Sequence, residues 1–162
     1  MRVRKALPED AEVITNINVE TWKVAYKGLM DDDILDNRKA DDKRIAHWKE
    51  VIENPSLLVL VCEDKEILGY LCAGKARDDY GIKNEVYALY VLPCFQRKGA
   101  GAALLRAYKE ILRGESFYLY MLKGNQKAGD FYSQNGGKIF EKFARNITVK
   151  GHTIEEVCYV FE

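Results

Sequence analysis

One segment constrains the fold of this chain more than any other, because it joins a strand to a long helix through a glycine-containing turn. The strand-like run ends at Leu92, and the turn that opens the helix runs from Gln96 to Gly101. The first amide groups of a helix have no partner within it, and the helix dipole makes that end positive. The segment therefore predicts a binding site for phosphate groups, to which Arg97 and Lys98 add positive charge.

Three kinds of phosphate-binding turn can be compared with this segment. The chain contains no Walker loop of the form G-x-x-x-x-G-K-[ST]. A dinucleotide fingerprint counted from Gly99 would end on Leu104, and no second β-α-β unit with an acidic ribose position follows. The coenzyme A pyrophosphate pattern, [QR]-x-x-G-x-[GA], is matched in full, with Gly99 and Gly101 letting a ligand approach the backbone. A helix with a glycine-rich start is an equally good interpretation of the hexapeptide by itself.

The composition argues against nucleic acid and membrane partners. The 162 residues carry 25 Lys and Arg against 25 Asp and Glu, so the formal net charge is zero and no chain-wide field attracts a polyanion. No apolar run is long enough to span a bilayer, and the first residues lack the apolar stretch of a signal peptide. We therefore expect a single cytoplasmic domain over residues 1–162.

The four cysteines are scattered, with no C-x-x-C spacing and no histidine at ligand spacing. Each lies in an apolar, strand-like run, where a thiol packs as a small hydrophobic group. This pattern predicts no metal site and no disulfide framework. The residues are Cys62, Cys72, Cys94 and Cys158.

Apolar periodicity and turn residues divide the chain into helices and strands. The order indicates an α+β domain with a mixed, mainly antiparallel sheet of about seven strands flanked by helices, in which a β-α-β crossover makes one parallel pair. The predicted elements are a strand at Val3, helices from Pro8 to Gly28, around Ile34 and over Lys43–Ile52, strands Leu57–Cys62, Ile67–Ala76 and Glu85–Leu92, helix Gln96–Leu112, strand Phe117–Leu122, helix Asn125–Gln134, and strands Ile139–Val149 and Thr153–Phe161 joined at Lys150-Gly151.

Two further motifs accompany the glycine turn. Val91 and then Leu92-Pro93 precede it, and the stretch from Asn125 to Gly137 spells N-x-x-A-x-x-F-Y-x-x-x-G-G. Together these motifs resemble the GNAT superfamily of acyl-CoA N-acyltransferases, and the resemblance covers the chain from about Leu57 to its end. The stretch Glu20–Leu29 also looks like the acceptor-side helix of many bacterial members, although it is less specific.

The resemblance implies a fold in which the parallel strand pair is splayed around the cofactor. It implies an enzyme that transfers an acetyl group from acetyl-CoA to a primary amine of a small molecule or peptide, directly in a ternary complex and without a metal. A non-catalytic acyl-CoA-binding module and a nucleotide-binding protein are the alternatives. Exposed edges on the last hairpin are compatible with a monomer or a homodimer.

The resemblance also implies roles for individual residues. The pantetheine arm would pair with the backbone of the strand, the glycine turn would hold the pyrophosphate, and an amide near Val91 would polarise the thioester carbonyl. Tyr132 would face the sulfur, and Glu85 stands where some members carry a catalytic glutamate. The implied cofactor-binding residues are Leu89, Tyr90, Val91, Gln96, Arg97, Lys98, Gly99, Ala100, Gly101, Asn125, Ala128 and Tyr132.

Acyl transfer to an amine sets requirements on both candidate catalytic residues. An alkylammonium has a pKa of about 10.4, so its deprotonation at pH 7 costs roughly 4–5 kcal/mol. Glu85 could accept that proton directly if burial raises its pKa, it could accept it through water, which we favour, or it could be a strand-end carboxylate in a salt bridge. Tyr132 stays protonated at neutral pH and can donate a hydrogen bond to the leaving thiolate, because full proton transfer from phenol to thiolate is uphill by about 2 kcal/mol.

The acceptor site is the part of the sequence that is hardest to interpret. Acids would attract an ammonium group and aromatic rings could face a cation, although Asp78 and Asp79 also look like residues of a solvated loop. Cys94 could act as a nucleophile beside the cofactor, but direct transfer needs no covalent step. The residues predicted to line the acceptor site are Trp22, Tyr26 and Tyr80.

Overall fold

A computed structural model of the chain describes residues 1–149 and 151–162, which form one eight-stranded sheet with helices on both faces. Short 3-10 helices lie at Pro8–Asp10, Pro93–Phe95 and Glu141–Phe143. The strands are β1 (Arg2–Lys5), β2 (Leu57–Glu63), β3 (Ile67–Lys75), β4 (Asn84–Val91), β5 (Phe117–Leu122), β6 (Lys138–Ile139), β7 (Arg145–Val149) and β8 (His152–Phe161). The helices are α1 (Ala11–Ala25), α2 (Asp32–Asp36), α3 (Asp42–Glu53), α4 (Ala100–Leu112) and α5 (Gln126–Gln134).

The sheet order is β1-β2-β3-β4-β5-β8-β6, and β7 also pairs with β8. Every pairing is antiparallel except that of β4 with β5, which are joined by the crossover through α4. The predicted mixed, mainly antiparallel sheet with one parallel pair is therefore confirmed. The crossover requires this arrangement, because strands connected through a helix on one face of a sheet run in the same direction.

The central strands are buried on both faces, and β2 shows why. Its side chains alternate in direction, so Leu60 packs towards α4 while Val59 and Val61 pack towards α1 and α3. A strand covered by helices on both faces is apolar at every position rather than at every second one. The continuous run of apolar residues in β2 is the sequence signature of that burial.

A β-bulge in β4 begins the separation of the parallel pair. Cys72 of β3 pairs with Ala88 and Ala73 pairs with Val86, which leaves Tyr87 as an extra residue in β4. The pairing of β4 with β5 ends at the same level, with Val86 opposite Leu119. Beyond that point no pairing between the two strands is present among the described residues, so the edge of β4 that faces β5 is unpaired from Leu89 to Val91.

Two predicted boundaries differ from the observed ones. The helix predicted from Gln96 begins at Ala100, because Arg97 and Gly99 adopt left-handed backbone conformations with φ of 62° and 92°. The strand predicted over Ile139–Val149 is divided into β6 and β7 by a 3-10 turn.

Aromatic packing accounts for the division of that strand. Within the turn, Phe143 stacks on Tyr80 with ring centroids 3.8 Å apart. The final hairpin is confirmed by the pairing of Val149 with His152, while Lys150 of its predicted turn lies outside the described residues. In the part of the chain that the structure describes, no helix combines the length and the apolar character needed to cross a bilayer.

The α4 helix offers a matched test of the core. Leu104 is fully buried and Ile111 is 50 % exposed. We expect Leu104→Ala to lower the free energy of unfolding by about 2–5 kcal/mol, because it leaves a cavity between α4 and the sheet. Ile111→Ala should change it by less than about 0.5 kcal/mol. Urea denaturation measures both values, and equal losses would contradict the assigned orientation of α4.

Candidate active site

The glycine turn presents the amino-terminal end of α4 without a side-chain cap. The N-cap residue is Gly99, which has no side chain that could accept a hydrogen bond from the first amides. The first hydrogen bond across the helix start runs from the Ala103 amide to the Gly99 carbonyl at 2.9 Å. The left-handed conformation of Gly99 is strained for other residues. The turn therefore directs amide groups outward at the positive end of the helix dipole, where an anionic group is favoured.

Gln96 stabilises this turn from within. Its side-chain Nε2 donates a hydrogen bond of 3.0 Å to the Val91 carbonyl, five residues earlier. The contact ties the start of the turn to the last residue of β4, so the uncapped helix end and the free edge of β4 keep a constant spacing. The side chain of Gln96 thus contacts the protein, and its contribution to a phosphate site would come from its backbone.

Gly101 serves the packing of two helices. A Cβ atom at this position would lie 2.9 Å from Cζ of Phe131, which projects from α5. Such a distance is too short for an unstrained contact, so the absent side chain allows α5 to approach α4. The ligand contact predicted at Gly101 stays a prediction, and the Cβ side of this residue faces the ring of Phe131.

Asn125 and Ala128 form the start of α5. The Asn125 side-chain Oδ1 accepts a hydrogen bond of 3.2 Å from the Ala128 amide, which is the geometry of a helix N-cap. The cap sets the position at which α5 begins after β5, and so it sets the place of Tyr132 seven residues later. Their predicted contact with a pantetheine arm stays a prediction.

Tyr132 is surrounded by aromatic rings on the α4 side of the sheet. It is 8 % exposed, and its ring lies 5.3 Å from Phe131, 5.4 Å from Tyr159 and 6.3 Å from Phe161. Burial raises the pKa of its phenol above the ordinary value, with smaller contributions from Tyr26 and Tyr159. The hydroxyl is therefore fully protonated at neutral pH and can act as a hydrogen-bond donor.

Tyr26 and Tyr90 approach Tyr132 from other elements. The pKa of Tyr90 is raised, mainly by burial, and the hydroxyls of Tyr26 and Tyr132 act in the same direction. Tyr26 follows the last residue of α1 and Tyr90 lies in the separated part of β4. Tyr26, Tyr90 and Tyr132 are thus near enough to affect one another's pKa, while the predicted roles of Tyr26 and Tyr132 stay predictions.

Trp22 contacts a cationic side chain, Arg38, that the sequence analysis did not predict as part of the site. Its ring stacks on Tyr26 at 4.3 Å, and the guanidinium of Arg38 lies 4.2 Å from its centroid. Arg38 follows α2 and donates a hydrogen bond of 2.7 Å to Asn18 Oδ1, while Asn18 Nδ2 donates at 2.7 Å to the Tyr70 hydroxyl. No motif marks Arg38, because its contacts come from residues at least 16 positions away in the chain.

Glu85 is fully buried, and its carboxylate accepts hydrogen bonds from other groups of the protein. Oε2 accepts hydrogen bonds from the Arg77 amide at 3.0 Å and from the Tyr118 hydroxyl at 3.1 Å, and the Arg77 guanidinium binds both oxygens. This is the strand-end salt bridge that the sequence leaves as the alternative to catalysis. The catalytic role of Glu85 stays a prediction, and these contacts argue against it.

Tyr80 belongs to a second polar cluster, which lies on the face of the sheet opposite α4. Its hydroxyl lies 2.6 Å from that of Tyr120, which donates at 2.6 Å to Asp78 Oδ2. Arg145 binds the same Asp78 oxygen at 3.2 Å and Glu156 at 2.7 Å. Asp78 is therefore part of an ion-pair network, in contrast to the expected solvated loop.

The cysteines follow their predicted pattern at three of four positions. Cys62, Cys72 and Cys158 are buried, and burial raises the pKa of the Cys72 and Cys158 thiols to about 12. Cys94 is exposed on the 3-10 helix after β4, because the chain turns there instead of continuing as a strand. Over residues 1–149 and 151–162, no group of three or more His, Cys, Asp or Glu side chains could hold a metal ion.

The chain belongs to the GNAT family of acetyltransferases, since that family's model matches residues 14–136. It is 28 % identical to the uncharacterized N-acetyltransferase YuaI of Bacillus subtilis, covering 96 % of this chain and 89 % of that protein. It is 24 % identical to the spermidine N(1)-acetyltransferase of Thermoplasma acidophilum, covering 86 % of this chain and 89 % of that protein.

The fold is shared with solved structures of the same family. The PaiA N-acetyltransferase of Thermoplasma acidophilum, crystallised with coenzyme A, superposes with a TM-score of 0.71 at 23 % identity over 96 % of each chain. A GCN5-related N-acetyltransferase from Rhodopseudomonas palustris superposes with a TM-score of 0.76 at 17 % identity, covering 99 % of this chain and 94 % of the other. The α+β fold with a single parallel pair is thereby confirmed.

The contact of Gly101 with Phe131 can be tested by a double-mutant cycle. Helix propensity alone would favour Gly101→Ala by up to about 1 kcal/mol. We expect instead a loss of about 1–3 kcal/mol, because the new methyl group meets the ring. Adding Phe131→Leu to the Gly101→Ala variant should recover part of that loss in urea denaturation. Additive effects would show that Gly101 is required for another reason.

Proposed function

We propose that the chain is an N-acetyltransferase that moves an acetyl group from acetyl-CoA to a primary amine of a small molecule or peptide, directly in a ternary complex. One observation carries the proposal. The unpaired edge of β4 is tied through Gln96 to the uncapped start of α4, and the neighbouring helix α5 carries the buried phenol of Tyr132. In acetyl-CoA the pantetheine arm joins the pyrophosphate to the thioester, so an anion site and a hydrogen-bond donor near one strand edge suit the two ends of that arm.

The free edge of β4 would bind the pantetheine arm. Beyond the bulge, the backbone from Leu89 to Val91 has β3 on one side and no strand of β5 on the other. The arm carries amide groups that can pair with that edge as an additional strand would. An amide near Val91 would then polarise the thioester carbonyl. The amides from Arg97 to Gly101 would receive the pyrophosphate.

Tyr132 would stabilise the leaving sulfur. During transfer the bond between the amine nitrogen and the acyl carbon forms, and the bond between that carbon and sulfur breaks. The ammonium loses one proton before attack. The nitrogen loses a second proton as the amide forms, and this second proton balances the charge of the leaving thiolate. Because burial raises the pKa of Tyr132, its phenol keeps its own proton and stabilises the thiolate by a hydrogen bond.

The first amine proton would leave through water. The carboxylate of Glu85 already binds Arg77 and Tyr118, so its lone pairs are engaged in the interior of the protein. We therefore assign Glu85 to holding the loop after β3 against the sheet. The name of the spermidine acetyltransferase of Thermoplasma acidophilum supports an amine as acceptor, and the coenzyme A complex of a structural relative supports the cofactor.

A thiol-release assay with acetyl-CoA and a panel of primary amines tests the proposal. We expect turnover on at least one amine, and stabilisation against heat by coenzyme A but not by NAD or ATP. Binding of acetyl-CoA without turnover on any amine would indicate a non-catalytic module. Stabilisation by NAD or ATP alone would indicate a nucleotide-binding protein.

Tyr132→Phe tests the role of the phenol. We expect kcat to fall roughly 10²-fold with little change in the affinity for coenzyme A, because the ring packing is kept and only the donor to sulfur is lost. Tyr108→Phe is the matched control, since Tyr108 is 3 % exposed and packs on Phe117 in the core. Equal activity of wild type and Tyr132→Phe would remove this residue from the mechanism.

Glu85→Gln separates a structural from a catalytic role. We expect the free energy of unfolding to fall by about 1–3 kcal/mol, because the Arg77 guanidinium loses its charged partner. The rate of acetyl transfer by the folded variant should stay within a few-fold of wild type at a temperature where both are folded. A loss of 10²-fold or more in kcat with unchanged stability would instead make Glu85 a proton acceptor.

A further inference from the structure

Arg38 carries a positive charge that is partly buried and lacks a carboxylate partner among the described residues. Its Nε is inaccessible to solvent and makes no hydrogen bond within that part of the chain. The guanidinium lies over the ring of Trp22 and binds a neutral amide oxygen of Asn18 through Nη2. Burial lowers the pKa of Arg38, and the charge of Arg44 adds to the effect, so the surroundings disfavour this charge.

Two other arginines are paired with carboxylates. Arg77 binds Glu85, and Arg145 binds Asp78 and Glu156. A buried donor without an acceptor costs about 1–3 kcal/mol, and more when the donor is charged. Such a group calls for an explanation, and a bound anion is one. Because Nε is inaccessible, an anion would compensate the charge at the half-buried guanidinium without pairing with Nε itself.

Stacking contacts connect Arg38 with the residues proposed to line the acceptor site. Its guanidinium lies over Trp22, and the Trp22 ring stacks on Tyr26. Burial raises the pKa of Tyr26 and a hydrogen bond from Tyr90 opposes it, while the charges of Glu156 and Arg38 act on it in opposite directions. Burial, and after it Tyr26, raises the pKa of Tyr132, the residue proposed to face the sulfur.

Arg38 differs in its charge pairing from Asp78 and Glu156, which share the guanidinium of Arg145. Its own contacts are with the neutral side chains of Asn18 and Trp22. The carboxylate of a ligand would compensate the charge of Arg38, whereas a polyamine would bring further positive charge towards it.

We propose that Arg38 is an acceptor-specificity residue that binds a carboxylate of the substrate, so that the chain acetylates amines of the amino-acid type. The inference rests on the proposed function and names the acceptor class of the same site. The guanidinium is planar and pairs well with a carboxylate. The carboxylate on Arg38 would turn the amine towards Tyr26 and Tyr132.

Matched substrate pairs test this inference by turnover. Each pair is an α-amino acid and its carboxamide, which differ only in the anionic group. We expect the wild type to prefer the acids by roughly ten- to a hundred-fold in kcat/KM. Amine ionisation favours the amides, since a neighbouring carboxylate raises the pKa of an amine. A preference for the acids therefore reports recognition of the carboxylate.

Arg38→Gln should remove that preference through KM, and Arg38→Lys should restore part of it. The control is Lys39→Gln, which removes one positive charge from the adjacent exposed residue and should keep the preference. Thermal unfolding of each variant shows that the fold is retained. A wild type that prefers amides or polyamines, or an Arg38→Gln variant with undiminished preference, would overturn the inference.

A binding experiment decides the inference without turnover. N-acetyl amino acids and their carboxamides are titrated calorimetrically into the protein saturated with coenzyme A. We expect the acids to bind at least roughly ten-fold more tightly to the wild type and equally weakly to Arg38→Gln. Equal binding of both to the wild type would overturn the role of Arg38. Absence of turnover on every amine, with this preference intact, would overturn the proposed acetyl transfer alone.

Discussion

The structure depends on one constraint, the bulge at Tyr87 that ends the pairing of β4 with β5. A parallel pair that stayed in register would bury the backbone edge of β4 and close the sheet. The extra residue bends β4, and hydrogen bonding to β5 stops at Val86. The remaining residues of β4 then present backbone groups that only another extended molecule can pair with. The fold thus leaves the sheet incomplete along the edge of β4 where we propose that the pantetheine arm binds.

Local contacts position the elements around this edge of β4. The left-handed turn at Gly99 precedes the start of α4, and Gln96 ties that turn to β4. The contact of Gly101 with Phe131 brings α5 against α4, and the cap at Asn125 sets where α5 begins. The parts of the proposed site are therefore placed by contacts between β4, α4 and α5.

Charge pairing distinguishes Arg38 from the other buried or half-buried ionic groups discussed above. The carboxylate of Glu85 and the guanidinium of Arg145 bind partners within the protein and hold loops and strands together. Arg38 binds only neutral groups among the described residues, and its side chain covers Trp22. A cation retained without a partner costs stability. That cost has a physical reason when the molecule the protein acts on carries the opposite charge, as proposed above.

The sequence by itself determined the local features: the turn from Gln96 to Gly101, the start of a helix at Asn125 and the order of the elements. These depend on backbone conformation and on residues a few positions apart, so motif and periodicity suffice. Only the tertiary structure decided that Glu85 meets Tyr118, that Gly101 makes room for a ring of α5, and that Arg38 lies over Trp22. Such contacts join residues 16 or more positions apart, and no local pattern records which side chains a folded sheet brings together.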